Sequence, residues 1–185
     1  MTAWTPTIQN CDDYMNDREG RYEFRRIRYR RAIDEMVKYG LDNSMTIFDV
    51  GAGMTEFDYC LRTEYDWRGR YIPIDGGIDG TDLETWVPPR EAHWFVALEL
   101  LEHLDNWKHL VVRMQVKAMK GIVISTPNPY ATDVLGMDPT HKVEIYPPEL
   151  VEAGFKITGE TFYGRTFNIP GRENEDDSLF GVWAR

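Results

Sequence analysis

Cysteine is almost absent: Cys11 and Cys60 are the only two in 185 residues. They lie far apart and form no CxxC or CxxH spacing, which excludes a disulfide framework and offers no zinc ligand set. Long apolar runs are missing too, and without a stretch of roughly 20 apolar residues no segment is expected to span a bilayer. The opening MTAWTP carries no basic segment followed by an apolar stretch, so no secretory leader is expected and a reducing cytoplasm is the simplest setting. Positive charge is in deficit: 21 Lys and Arg stand against 31 Asp and Glu, a formal net charge of -10. Phosphate neutralisation needs clustered cations, so broad electrostatic binding to nucleic acid is disfavoured. The exception is the stretch 18–31, where Arg18, Arg21, Arg25, Arg26, Arg28, Arg30 and Arg31 outnumber Glu19 and Glu23. It reads either as a helix face paired with the acidic surplus or as a local RNA or phosphate contact.

What is present suits one globular domain over 1–185, an N-terminal helical cap over 1–43 followed by a core over 44–185. Tyr29, Ile33, Met36 and Val37 fall on one face of a helix expected over 22–39, with Gly40 as its stop. Short apolar runs at 45–50, 70–74, 94–98 and 121–125 read as buried strands. Thr55 is placed to cap a helix burying Phe57, Cys60 and Leu61, and 106–119 reads as an amphipathic helix through Leu110, Val111, Met114 and Met119. A short helix with Pro147 at its start and Gly154 past its end precedes two last strands, 155–162 and 178–184, joined by an acidic loop around 173–177. Alternating strands and helices predict an α/β fold, a mostly parallel sheet with helices on both faces. The segment between Asp75 and Trp94 is too short for a crossover helix, a further strand and the return. The sheet edge is therefore expected to be pruned after the second strand, with 79–86 a loop or a vestigial strand.

Ligands of such sheets sit at the carboxyl ends of the strands, where this chain carries its chemistry-bearing residues. The turn DVGAGMT places Gly51, Ala52 and Gly53 directly after a strand, where the backbone must bend sharply and admit a ligand without Cβ interference. Asp75 ends the next strand and is suited to accept both hydroxyl protons of a ribose. A dinucleotide fingerprint wants a third Gly or Ala where this chain has Glu56, a poor neighbour for pyrophosphate. An acidic start, Asp49, suits a cationic ligand, so S-adenosylmethionine fits better than NAD.

DVGAG, then the ribose-type aspartate, then LELLEHL and ISTPNP resemble, in order, the motifs of the class I S-adenosylmethionine-dependent methyltransferases over about 45–155. That resemblance implies a Rossmann-like sheet of order 3-2-1-4-5-7-6 with an antiparallel last strand. It also implies a site in which Asp49, Gly51 and Gly53 surround the amino acid part of the cofactor, Asp75 meets its ribose, and Asp82 and Leu83 resemble the acidic-apolar pair that meets the adenine, with Ala52, Gly76 and Glu99 also among the cofactor-binding residues. The shortened segment after Asp75 departs from the family pattern at Asp82.

Methyl transfer is a displacement at carbon, which needs an in-line nucleophile and, for a hydroxyl, a proton acceptor. ELLEH puts Glu99, Glu102 and His103 just past a strand end, where a helical turn would bring them to one face, and His141 comes from the connection after STPNP. Carboxylate oxygens and imidazole nitrogens of Glu99, Glu102, His103 and His141 could hold Mg²⁺ or Mn²⁺ and leave positions open for substrate oxygens. The pattern is similar to ubiquinone-pathway O-methyltransferases and to small-RNA 2′-O-methyltransferases, which implies a small-molecule or terminal-ribose acceptor. A metal-free alternative makes His103 or His141 a general base, with Glu102 beside it. A non-catalytic S-adenosylmethionine-binding module and an NAD-dependent oxidoreductase are the competing classes, the second opposed by Glu56. His93 and His109 read as packing or surface residues, and Tyr130, Tyr146 and Tyr163 as half-buried packing or as walls of an aromatic acceptor pocket.

Overall fold

The computed structural model describes residues 18–160 and 176–185. Helix α1 (Arg18–Lys38) leads into β1 (Thr46–Val50), α2 (Glu56–Glu64), β2 (Arg70–Ile74), the single turn α3 (Gly76–Asp79) and β3 (Ala92–Leu98). A 3-10 turn (Leu101–His103), α4 (Trp107–Lys117), β4 (Ala118–Pro127), the single turn α5 (Val134–Met137), α6 (Pro147–Glu152), β5 (Lys156–Glu160) and β6 (Ser178–Ala184) complete it.

Six strands form one sheet in the order β2-β1-β3-β4-β6-β5. The first four are parallel and β6 runs antiparallel to both its neighbours. Successive side chains of a strand point to opposite faces, and that alternation sorts the core into two halves. Phe48 and Val50 of β1, Phe95 and Ala97 of β3, and Ile122 and Ile124 of β4 pack with Leu110, Val111 and Met114 of α4 and Leu150 of α6. On the other face Ile47, Trp94, Val96 and Val123 meet Tyr29, Ile33 and Met36 of α1 and Phe57, Cys60 and Leu61 of α2.

The chain winds outward from β1 to β2 and then returns to the far side of β1 for β3, so the strand tips part between β1 and β3. This is the switch point at which open α/β sheets bind ligands. The pruned edge is as expected: after β2 the chain makes α3 and a run of turns, and among the described residues no strand pairs beyond β2.

Several local expectations need correction. Val37 is half exposed, because the buried stripe of α1 follows Tyr29, Ile33 and Met36 and Val37 lies just off it. Thr55 precedes α2 in the left-handed region (φ 61) and its side chain caps nothing. Met119 belongs to β4, which starts at Ala118, and is itself half exposed. Residues 161–162 of the penultimate strand, most of the acidic loop before β6, Cys11 and Tyr163 lie outside the described residues.

Candidate active site

One cavity of about 630 Å³ opens at the β1/β3 switch point. Its lining includes Asp49, Gly51, Ala52, Gly53, Asp75, Gly76, Asp82, Leu83 and Glu99, together with Glu102, His103 and His141. Every site residue expected from the sequence thus faces the same space.

The glycine turn is dictated by two constraints at Gly51. Its φ is 77, and a Cβ there would meet Leu100 Cδ1 at 2.8 Å. Gly51 N donates to Ile74 O at 2.8 Å, stitching the turn to the tip of β2. Asp75 then serves the same turn: its Oδ2 accepts from Gly53 N at 2.9 Å and its Oδ1 from Gly77 N at 2.7 Å. A carboxylate offers about four acceptor positions, so each oxygen keeps capacity for a hydroxyl.

Asp49 is buried, and its Oδ2 accepts from Tyr71 Oη at 2.5 Å. Burial pushes its carboxyl up to about 7, the Tyr71 hydrogen bond opposing this and the nearby carboxylates of Asp75 and Glu56 adding to it. Glu56 is buried in the cavity wall at the start of α2, so this end of the cavity is acidic. Asp82 lines the cavity, while its carboxylate caps its own turn, accepting from Glu84 N at 3.0 Å and Thr85 Oγ1 at 3.0 Å.

The ELLEH segment does not form the single helical turn that would put Glu99, Glu102 and His103 on one face. Glu99 takes φ 52, and the 3-10 turn starts only at Leu101. Glu99 is consequently turned aside: Ser125 Oγ donates to its Oε1 at 2.7 Å and Arg28 Nε lies 3.9 Å from the same oxygen. Glu102, His103 and His141 do converge, each offering one ligand atom within 4.8 Å of the others, and Glu99 is not among them.

Hydrogen bonds orient both imidazoles. His141 Nδ1 faces Val134 O at 2.6 Å, and a carbonyl only accepts, so Nδ1 carries a proton and Nε2 is the nitrogen turned to the cluster. That Nε2 lies 4.0 Å from Glu102 Oε1. The Thr140 hydroxyl donates to Asp138 Oδ1 at 2.6 Å, leaving its oxygen as an acceptor beside His103 Nδ1 at 3.0 Å, with Thr140 O at 3.2 Å. His103 is therefore also protonated on Nδ1. Burial and the neighbouring His141 lower its pKa, which keeps the ring neutral. Glu102 is completely buried and neither oxygen makes a well-formed hydrogen bond, the Thr126 hydroxyl offering only a poor one. Burial first, then the charge of Glu99, raises its carboxyl well above the usual range.

Arg25, Arg28 and Tyr29 of α1 also line the cavity, although the sequence placed the arginines only in a basic stretch and Tyr29 only on the apolar face of the helix. Their spacing on a helix was legible, but only packing on the sheet decides which face looks inward. Other arginines of the basic stretch are engaged with acids: Arg26 and Arg30 with Glu64, and Arg31 with Glu35. His93 Nδ1 accepts from Thr46 N at 3.0 Å, a packing role, and His109 is exposed on α4. Tyr130 and Tyr146 stack edge to face on each other, and neither is among the cavity-lining residues.

No family model matches the chain, and no curated protein matches it. Solved structures do. A SAM-dependent methyltransferase from Archaeoglobus fulgidus aligns with TM-score 0.67 at 19% identity, over 95% of this chain and all of that one. The putative methyltransferase complex with the Trm112 methyltransferase activator from Haloferax volcanii gives TM-score 0.63 at 11% identity, over 90% of this chain and 94% of that chain. The small RNA methyltransferase HEN1 gives 0.58 at 12% identity, over 98% of this chain and 26% of that chain. At such identities the likeness is one of architecture, and the architecture is the Rossmann-like α/β fold of the SAM-dependent methyltransferases.

Proposed function

We propose that the protein is an S-adenosylmethionine-dependent methyltransferase that methylates an acceptor hydroxyl with the help of a divalent cation held by Glu102, His103 and His141. The observation that carries this reading is the state of Glu102: a carboxyl group with no exposure and no well-formed hydrogen bond, converging with two imidazoles that are each held through Nδ1. A buried, unsatisfied carboxylate is costly, by about 1–3 kcal/mol or more. Imidazoles held through a hydrogen bond at Nδ1 are the usual arrangement of metal-bound histidine. The donor set of one carboxyl group and two nitrogens suits Mn²⁺ better than Mg²⁺, and a cation there would take the place of the proton that burial favours on Glu102.

S-adenosylmethionine, when bound, supplies an electrophilic methyl, and the cation supplies the charge that lowers a hydroxyl's pKa. The residues do the rest. Asp75 takes the ribose hydroxyls, the backbone of Gly51, Ala52 and Gly53 lets the nucleoside approach, Gly76 lies beside the ribose, and Leu83 with Asp82 borders the base. Asp49 and Glu99 favour the ammonium end, and the guanidinium of Arg28 stands near it for a carboxylate. Glu99 remains a candidate fourth ligand if it turns from Ser125. The acceptor is a small molecule or a terminal ribose, entering past α1 and the segment that bears His141.

Glu102→Ala and His103→Ala are expected to lower Mn²⁺ affinity by at least on the order of 100-fold, and turnover with it, while affinity for S-adenosylhomocysteine stays within about twofold. Calorimetric titration of each variant reads both affinities. Unchanged Mn²⁺ affinity in both variants overturns the cation site, and turnover that survives a chelator transfers the proton-accepting role to His103 or His141 alone.

A further inference from the structure

No residue of the segment 75–91 joins the sheet, so no ladder fixes Asp82 and Leu83, which border the cavity. Side chains do that work, and one of them reaches the other end of the site. Arg113 of α4 donates to Trp86 O at 2.5 Å and Glu84 O at 2.7 Å, pinning the backbone that follows Asp82 and Leu83. The Glu84 carboxylate extends from this segment and accepts from Asp105 N at 2.6 Å and Asn106 N at 3.2 Å, directly after the turn that carries Glu102 and His103. The same carboxylate receives Lys142 Nζ at 3.3 Å. Lys142 follows His141 in the chain, its N donates to Glu102 O at 2.8 Å, and its Nζ also holds Asp105 Oδ2 at 2.9 Å.

Glu84 therefore joins three separate segments: the base-side loop, the Glu102–His103 turn and the His141 strand of chain. We infer that Glu84 is a positioning residue that couples occupancy of the nucleoside end to the geometry of the Glu102–His103–His141 cluster, with Lys142 as its arm to His141. The inference rests on the cation site proposed above. Its physical basis is shared ordering: a ligand that orders the base-side loop also fixes Glu84, and through it the backbone of the cluster, so the second ligand has less left to order. Coupling of this kind is reciprocal and is typically worth about 5–150-fold in affinity. The hydrogen bonds to Asp105 N, Asn106 N and Lys142 outweigh the burial of Glu84 and keep its carboxyl below the ordinary range, ionised and able to hold all three donors at neutral pH.

The test is Mn²⁺ affinity, read by electron paramagnetic resonance of the free ion, with and without saturating S-adenosylhomocysteine. Wild-type protein is expected to bind Mn²⁺ at least about fivefold more tightly with the nucleoside present. Glu84→Gln is expected to bring that ratio below about twofold while both ligands still bind. Lys142→Met, which leaves the backbone contacts of Glu84 intact, is expected to give an intermediate ratio, and Glu84→Asp a partial rescue. A merely structural staple would lower stability or both affinities and leave the ratio untouched. A wild-type ratio retained in Glu84→Gln, or in Lys142→Met should Glu84→Gln fail to fold, overturns the coupling alone. A wild-type ratio of one does so too. Wild-type protein that binds no Mn²⁺ overturns the cation site and the coupling together.

Discussion

At Asp49 a single hydrogen bond decides how acidic the floor of the cavity is. Burial raises its carboxyl to about 7, and the Tyr71 hydroxyl holds it from rising further. Because the folded value lies above the ordinary 3.8, the folded protein keeps a proton that the unfolded chain has lost, so this group's contribution to stability is greatest below 3.8 and falls as pH rises towards about 7. Ligand affinity is expected to run the other way, since the proposed ammonium contact needs the carboxylate. Binding of S-adenosylhomocysteine is expected to weaken as pH falls from about 8 to about 6 with release of up to about one proton, measurable by calorimetry in buffers of different ionisation enthalpy. Tyr71→Phe removes the opposing donor and is expected to move that midpoint to higher pH. A profile identical in both proteins would detach Asp49 from the cofactor.

Helix α1 leans on a single carboxylate of α2. Glu64 at the end of α2 accepts from Tyr22 Oη at 2.5 Å, Arg26 Nε at 2.7 Å and Arg30 Nε, so three residues of α1 are tied to one carboxylate. Burial pushes Glu64 up, but these partners outweigh it and hold the carboxyl at about 2. The folded value lies below the ordinary 4.5, so the stabilisation is full above 4.5 and is lost as pH falls from there to about 2. Glu64→Gln is expected to lower stability by about 1–3 kcal/mol at neutral pH, read as a lower urea midpoint, and to flatten the acid limb of the wild-type profile. Since α1 brings Arg25, Arg28 and Tyr29 to the cavity, affinity for S-adenosylhomocysteine is expected to drop in the same variant.

For the molecule as a whole, the cofactor assignment predicts a linkage that needs no acceptor. A ligand that binds only the folded state at about 100 times its Kd adds about 2.7 kcal/mol. In a chain of this size each kcal/mol is worth about 2–4 °C, so S-adenosylhomocysteine is expected to raise Tm by about 5–11 °C. NAD is expected to leave Tm unchanged, because pyrophosphate would meet buried Glu56 where a dinucleotide site has a small residue. A shift with NAD and none with S-adenosylhomocysteine would overturn the assignment. No helix among the described residues is long and apolar enough to cross a membrane.

The strands, the glycine turn and the aspartate at the next strand tip were legible because they rest on neighbours in the chain: an apolar run, a residue able to take φ 77, a carboxylate one element later. The pruned edge was legible because segment length bounds what can fit. Contacts between distant residues were not. Glu99 looked equivalent to Glu102 by spacing, yet Ser125 and Arg28 draw it aside, whereas Glu102 is buried with its oxygens unsatisfied. Thr55 looked like a cap until its backbone took the left-handed region. Glu84 gave no sign at all, since its partners Asp105 and Lys142 are 21 and 58 residues away. Local sequence thus determined which elements form and which residues reach the strand tips, because backbone preference and apolar period act over a few residues. Only the tertiary structure decided which carboxylate stays unsatisfied, which arginines face the cavity and what ties its two ends together, because burial and hydrogen bonding depend on neighbours that the chain brings together only by folding.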